Sequence, residues 1–349
     1  MIGISSALSG LPLEELADSI APLPRFRAAQ IFRWIASGTA SFEAMSNLPL
    51  SLREELAARF TLRPVINQEK HCGTDGTVKL ALRFSDGAMV ESVLLAGSSR
   101  RQQYTACLST QAGCPAGCVF CKTGSLGFLR SLNSAEIIEQ FLLLAKAADG
   151  LPISNIVVMG MGEPLLNLAE LRRAIAVITD SQGLHFSRRR ITVSTCGIAD
   201  GIIDLAENGP AVRLALSLVT ADEGLRRRLM PITARHSLSQ VKEALRCFQD
   251  RGTGRITLEI VLLAGINTRH ADAQGIARFA DGLDTVINLI PWNPVPGLQF
   301  EGRPLREPSA AEAAAFARCL EAHGLKVTRR FRRGRGIMGA CGQLGAGSG

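Results

Sequence analysis

Three cysteines stand in one short run, Gly113-Cys114-Pro115-Ala116-Gly117-Cys118-Val119-Phe120-Cys121, spaced C-x3-C-x2-C. The glycines and proline around them suit a loop that wraps closely around a bound group. Three thiolates from one loop match a cubane iron–sulfur cluster, whose fourth iron would stay open for a small molecule. Structural zinc is the competing reading. Zinc takes a fourth ligand, usually from a second close pair, and no nearby residue except Cys107, upstream of the run, could supply it. A second feature is Met159-Gly160-Met161-Gly162-Glu163-Pro164-Leu165, where glycines permit close backbone approach beside a carboxylate. Alone, Glu163 reads as an exposed acid in a tight turn. Next to the cysteine loop it could hold the ammonium group of a ligand on the open iron.

Such residues need elements that bring them together. From Thr105 onward, apolar strand-like runs alternate with amphipathic stretches. Six strands are expected, at Thr105–Ser109, Ile153–Met159, Arg190–Thr195, Val212–Leu218, Ile256–Leu263 and Thr285–Ile290. The helices between them include Ser134–Ala147, Leu168–Ile178, Leu238–Asp250 and Ala271–Phe279. This order predicts a parallel sheet, either doubly wound or closed toward a barrel, and in a barrel chemistry collects in the loops after the strands. The cysteine loop follows the first strand and the Glu163 loop follows the second. Ahead of them lie short helices at Leu13–Ile20 and Arg25–Ala36, a third opened by a Ser51–Glu54 capping box, and a hairpin. In the hairpin, Val78, Leu80, Leu82 and Phe84 alternate with Thr77, Lys79, Ala81 and Arg83, and an Asp86–Gly87 turn leads to Val90–Leu95. A helix at Ser309–His323 and a strand at Lys326–Phe331 precede a Gly-rich tail expected to be mobile.

With these residues in place, the chain resembles the radical S-adenosylmethionine enzymes, whose cluster signature has an aromatic residue before the third cysteine, as Phe120 is here. More narrowly it is similar to the ribosomal RNA adenine-C2 methyltransferases. The shared runs are Cys107-Leu108-Ser109-Thr110-Gln111-Ala112-Gly113-Cys114, Gly160-Met161-Gly162-Glu163-Pro164-Leu165-Leu166-Asn167, Asn288-Leu289-Ile290-Pro291-Trp292-Asn293-Pro294 and Ala340-Cys341-Gly342-Gln343-Leu344. The resemblance implies an α/β fold: a partial (β/α)6 TIM-like barrel over 104–331, a helical accessory domain over 1–66, a β-hairpin extension over 67–103 and a tail over 332–349.

It also implies roles. Cys114, Cys118 and Cys121 would ligate one 4Fe-4S cluster, with the methionine end of S-adenosylmethionine on the fourth iron. Gly162, Glu163, Ser194, Ser217, Leu218, Val219 and Asn293 would line the cofactor pocket. In the implied reaction one S-adenosylmethionine methylates Cys341. A second is cleaved to a 5′-deoxyadenosyl radical, which takes hydrogen from the new methyl group so that its carbon can add to adenine. Cys107 then attacks Cys341 and a disulfide forms as the product leaves. Glu91 would remove a proton. The implied substrates are 23S rRNA and tRNA, and the implied electron donor is a flavodoxin or ferredoxin. A related branch methylates C8 of the same rRNA adenine, and a non-enzymatic RNA-binding protein with a metal site is the alternative of another class.

Composition agrees with this class. Nine cysteines among 349 residues fall far below the roughly 8–10% of a disulfide scaffold, and 46% hydrophobic residues exclude a disordered chain. The start carries no basic residue ahead of an apolar run and no stretch is apolar enough to span a membrane, so a cytoplasmic monomer is expected. A net charge of +8 points to an anionic partner. Arg188-Arg189-Arg190, Arg226-Arg227-Arg228 and Arg329-Arg330-Phe331-Arg332-Arg333-Gly334-Arg335, with Trp34, are the candidate RNA contacts. Cys72, Cys196, Cys247 and Cys319 read as small buried hydrophobes.

Overall fold

The computed structural model describes residues 7–97, 103–252, 254–329 and 333–345. Three helices come first: α1 (Leu13–Ser19), α2 (Arg25–Ala36) and α3 (Leu50–Arg59). Helix α2 buries Ala28, Ile31, Phe32 and Ile35, the stripe its helical period dictates. The expected Ser51–Glu54 capping box does not form. The helix begins earlier, after Pro49, which is preset for a helix start, and no side chain caps it.

An antiparallel meander follows, β1 (Val65–Cys72), β2 (Val78–Phe84) and β3 (Met89–Ala96). The β2–β3 turn closes by Gly87 N–H to Phe84 O, with Gly87 at φ +85°, which suits its lack of a Cβ. Strand β4 (Tyr104–Cys107) continues the meander, and β5 (Gln111–Gly113) pairs with β6 (Phe128–Ser131) in a separate small sheet. The parallel part contains β7 (Ile153–Val158), β8 (Ile191–Thr195), β9 (Arg213–Ser217), β10 (Ile256–Leu262) and β11 (Thr285–Pro291). After a two-residue ribbon of β12 (Gln299–Phe300) and β13 (Arg303–Pro304) comes the last strand, β14 (Val327–Arg329). One sheet runs β1-β2-β3-β4-β7-β8-β9-β10-β11-β14, and every pair from β4 to β14 is parallel.

The crossover helices are α5 (Ser134–Ala147), α6 (Leu168–Thr179), α7 (Ala199–Asn208), α8 (Glu223–Leu229), α9 (Leu238–Asp250), α10 (His270–Ala280) and α11 (Ala310–Ala322), after a single-turn α4 (Lys122–Ser125). Because helices cover the sheet, its central strands are apolar runs: β10 buries Ile256, Leu258, Ile260 and Leu262. The expected partial barrel is what forms. Cys107 of β4 and Ile290 and Pro291 of β11, the first and sixth of the seven strands in the parallel run, line one cavity, so the sheet has curled.

The helical region is locked onto the barrel through α5. Ser134 Oγ donates to Gly10 O at 2.8 Å, and Arg63 pairs with the buried Glu139 at 2.6 Å. A Cβ on Gly10 would stand 2.5 Å from Ala135 N, so a side chain there would push the two regions apart. Asn133 and Glu136 cap α5 reciprocally, a contribution of about 1 kcal/mol.

Several expectations change. Strand β1 was not foreseen, since its middle is polar and exposed, as suits a protected sheet edge. The hairpin is continuous with the barrel sheet, because β3 pairs with β4. The last strand is described over Val327–Arg329, and Arg330, Phe331 and Arg332 lie outside the described residues. The tail over 333–345 is tied down, with Gln343 and Leu344 buried. No described helix is long and apolar enough to cross a membrane.

Candidate active site

At the carboxyl ends of the parallel strands lies a cavity walled by Cys114, Cys118 and Cys121 on one side and by the loops after β7, β8, β9 and β11 on the other. Its cysteine loop is shaped by backbone constraints. Gly113 has φ +73° and a Cβ there would lie 2.0 Å from Gly127 O. The β5–β6 pair closes the loop at its base, Cys114 N–H bonds Gly127 O, and Val119 N–H bonds Leu229 O. Trp292 Nε1 donates to Phe120 O at 2.8 Å and holds the loop from the far strand.

Burial pushes the Cys114 thiol up to about 12, helped by the nearby Cys121 and Glu163 charges. Burial likewise pushes Cys118 well up, with Cys121 and Cys114 adding to it, and raises Cys121 against the N–H groups of Gly124 and Thr123. Three converging thiols that resist ionisation beside a carboxylate need a cationic centre to become thiolates together. That donor set fits an iron–sulfur cluster.

Glu163 is buried at the cavity wall. Its Oε2 accepts from Cys196 N–H at 2.7 Å and its Oε1 from Leu165 N–H at 3.1 Å. Burial raises its carboxyl against those N–H donors. Gly162, at φ +103°, brings it there: a Cβ would meet Gln111 Cβ at 2.6 Å. Ser194, Ser217, Val219 and Asn293 line the same cavity. Val219 does so at φ +63°, a conformation a β-branched residue adopts at a cost. Asn293 Nδ2 donates to Cys341 O, while its Oδ1 is buried without a partner, a polar atom suited to a bound ligand. Leu218 does not line the cavity. Its side chain is in the core and its carbonyl accepts from Arg226.

Cys341 stands where two cavities meet. It lines the larger one with the three cysteines and a second, smaller one with Cys107, Met159 and Arg333. The chain around it is pinned. Lys122 N–H bonds Gly342 O, Thr123 Oγ1 bonds Leu344 O, and Gln343 Nε2 donates to Pro294 O at 2.9 Å. Glu91, expected to remove a proton, lines neither cavity. It is buried, with Oε1 on Lys79 Nζ at 2.8 Å and Oε2 on the tail's Gly345 N–H.

The basic runs divide. Arg188, Arg189 and Arg190 are exposed, Arg227 and Arg228 pair with Glu223 and Glu301, and Arg333 reaches the smaller cavity. Arg226 is not a surface group at all. It is 1% exposed, donates to the carbonyls of Cys196, Leu218 and Ser217, and lowers the rise of the Cys118 thiol. Sequence reading missed it inside a triple-Arg run. Helical phasing from the buried Leu225 and Leu229 was the available signal. Trp34 is half-buried, with Nε1 on Asn47 Oδ1. Cys196 lines the larger cavity and Cys72 is exposed, so neither is simply a core hydrophobe.

Residues 7–62 match the ribosomal RNA large subunit methyltransferase N-terminal domain, and residues 108–274 match the radical SAM superfamily. A protein of Treponema denticola named probable dual-specificity RNA methyltransferase RlmN is 48% identical over 341 residues, 98% of this chain and 96% of its own. The protein of that name from Treponema pallidum is 46% identical over 97% of both. The chain belongs to the RlmN family. The crystal structure of a radical SAM methyltransferase from Sphaerobacter thermophilus matches this RlmN-family chain with a TM-score of 0.92 at 38% identity, over 97% of this chain and 99% of that one. The radical SAM match implies S-adenosylmethionine and an iron–sulfur cluster for the RlmN-family cavity just described.

Proposed function

We propose that this S-adenosylmethionine-dependent RNA methyltransferase methylates C2 of an adenine in 23S rRNA, and of an adenine next to the anticodon in tRNAs, with Cys341 as the intermediate methyl carrier. The observation that carries this reading is the position of Cys341, which shares one cavity with Cys114, Cys118 and Cys121 and another with Cys107. The relatives' name, dual-specificity RNA methyltransferase, supports RNA of two kinds.

C2 of adenine lies between two ring nitrogens and is a poor nucleophile, so direct transfer from a sulfonium is unfavourable. When bound, a 4Fe-4S cluster and two S-adenosylmethionine molecules per turnover supply the methyl group and the one-electron chemistry. Cys114, Cys118 and Cys121 would hold the cluster. Glu163, fixed by the Cys196 and Leu165 N–H groups, would take the cofactor's amino group. Gly162, Ser194, Ser217, Val219 and Asn293 would frame the rest. Cys341, as thiolate, accepts the methyl group and carries it to the adenine. Once the adduct has given up one electron and its C2 proton, Cys107 as thiolate attacks the Cys341 sulfur: an S–S bond forms, the C–S bond to the base breaks, and its electron pair goes to carbon, which takes a proton to complete the methyl group. The disulfide takes two electrons from a thiol reductant to reopen, while a flavodoxin or ferredoxin would supply the single electrons of the radical chemistry, and the chain would work as a cytoplasmic monomer. Glu91 acts here as a tail anchor, since both its oxygens are engaged.

The test is mass spectrometry of rRNA and tRNA nucleosides from a deletion strain complemented with this gene. 2-Methyladenosine in both RNAs is expected. 8-Methyladenosine would move the chain to the C8 branch, and no methyladenosine would overturn the reading.

A further inference from the structure

Helix α10 opens with His270, and Cys319 and His323 stand four residues apart at the end of α11, the spacing that places two side chains on one face. The two helices pack together. One donor atom from each of the three residues lies within 4.8 Å of the others, and the imidazole centroids are 6.3 Å apart with the rings tilted by 59°. Both histidines are exposed and Cys319 is half-buried. None of the three lines the cluster cavity. The adjacent cation does not oppose a metal there, because Arg269 is held by Asp272 through two hydrogen bonds of 2.9 Å.

Two imidazoles and a thiol are a nitrogen–sulfur donor set, unsuited to magnesium or calcium and suited to a borderline divalent cation. Tetrahedral zinc, with bonds of about 2.0–2.3 Å, sets its donor atoms roughly 3.3–3.8 Å apart. Closing from the observed spread takes about 1 Å of side-chain adjustment, within ordinary rotamer freedom at exposed positions. We propose that His270, Cys319 and His323 form a zinc site that clamps α10 to α11, with a water from solvent as fourth ligand. On binding, the Cys319 thiol releases its proton to solvent and its sulfur donates to the metal. Helix α11 leads into β14 at the sheet edge, so the clamp would stabilise the edge from which the Cys341 tail departs.

The test uses cluster-loaded enzyme, since the emptied cluster cysteines would bind zinc themselves. The enzyme is incubated with zinc chloride, desalted, and assayed for zinc and iron and for its thermal midpoint. The wild type, and a Cys72→Ala control at an exposed cysteine outside the site, should retain one zinc per chain and melt higher with it. Cys319→Ala and His323→Ala should keep their iron, lose the zinc, and bind it about a hundredfold or more weaker. If either loses iron, His270→Ala at the exposed third ligand decides the question by the same readout. Zinc absent from the wild type, or retained equally by the ligand variants, overturns the proposal.

Discussion

At the scale of single residues, the site depends on a few buried groups whose partners are backbone. Arg226 shows this most clearly. A guanidinium 1% exposed holds the carbonyls of Cys196, Leu218 and Ser217, all at the strand ends that frame the cavity. Burial pushes it below its ordinary value, against the opposing pull of Cys196, Cys118 and Glu223 beside it. Arg226→Met takes the guanidinium donor away from those carbonyls, of which Leu218 O keeps the Thr220 N–H, and should cost ~2–4 kcal/mol in denaturant unfolding. Arg226→Lys, which keeps the charge and a donor, should recover part of that loss. Glycine matters at the same scale. Gly162→Ala drives a Cβ against Gln111 and strains a positive φ, so it should weaken S-adenosylmethionine binding in equilibrium titrations while iron content stays near wild type.

At the scale of elements, the tail over 333–345 is a strap fastened near both its ends to the antiparallel meander. Asp75, in the turn between β1 and β2, accepts from Gly334 N–H at 2.7 Å and from Thr77 N–H, and Glu91 on β3 accepts from Gly345 N–H. Burial alone would raise the Asp75 carboxyl, but those N–H donors, aided by Arg333, hold it below its ordinary value. A depressed folded-state value means that its stabilising contribution is complete above the unfolded carboxylate value and fades as pH falls through the lower, folded one. Protease cutting within 333–345 should therefore rise in acid, and Asp75→Asn should show that cutting already at neutral pH. Sequence reading placed Cys341 at the site by its resemblance yet treated its surroundings as mobile. The reason is that Gly-rich composition reports backbone freedom, whereas the anchors come from Asp75, Glu91, Thr123 and Pro294, far away in the chain.

At the scale of the whole molecule, the six parallel strands were legible because strands covered on both faces are apolar runs of countable length. Strand β1 was not, because an exposed edge needs only hydrogen bonds and carries no apolar pattern. The cysteine loop, Glu163 and Asn293 were legible as motifs at strand ends. Arg226 and the anchoring role of Glu91 were not, since burial of a charge is decided by tertiary packing rather than by local composition. The net charge of +8 also belongs to this scale, now with Arg188, Arg189 and Arg190 exposed together and Arg333 at the smaller cavity. RNA affinity should fall steeply with salt, and Arg189→Glu with Arg190→Glu should flatten that slope without changing iron content, read by binding titrations across salt concentrations. The central claim is that Cys341 carries the methyl group between cofactor and RNA, and isotope-labelled methyl followed by peptide mapping tests it most directly. Enzyme given labelled S-adenosylmethionine, freed of it, and then supplied with unlabelled cofactor, reductant and RNA should show the label first on Cys341 and then in 2-methyladenosine. Label reaching RNA in a Cys341→Ala variant, or never appearing on Cys341 in an active enzyme, would contradict it.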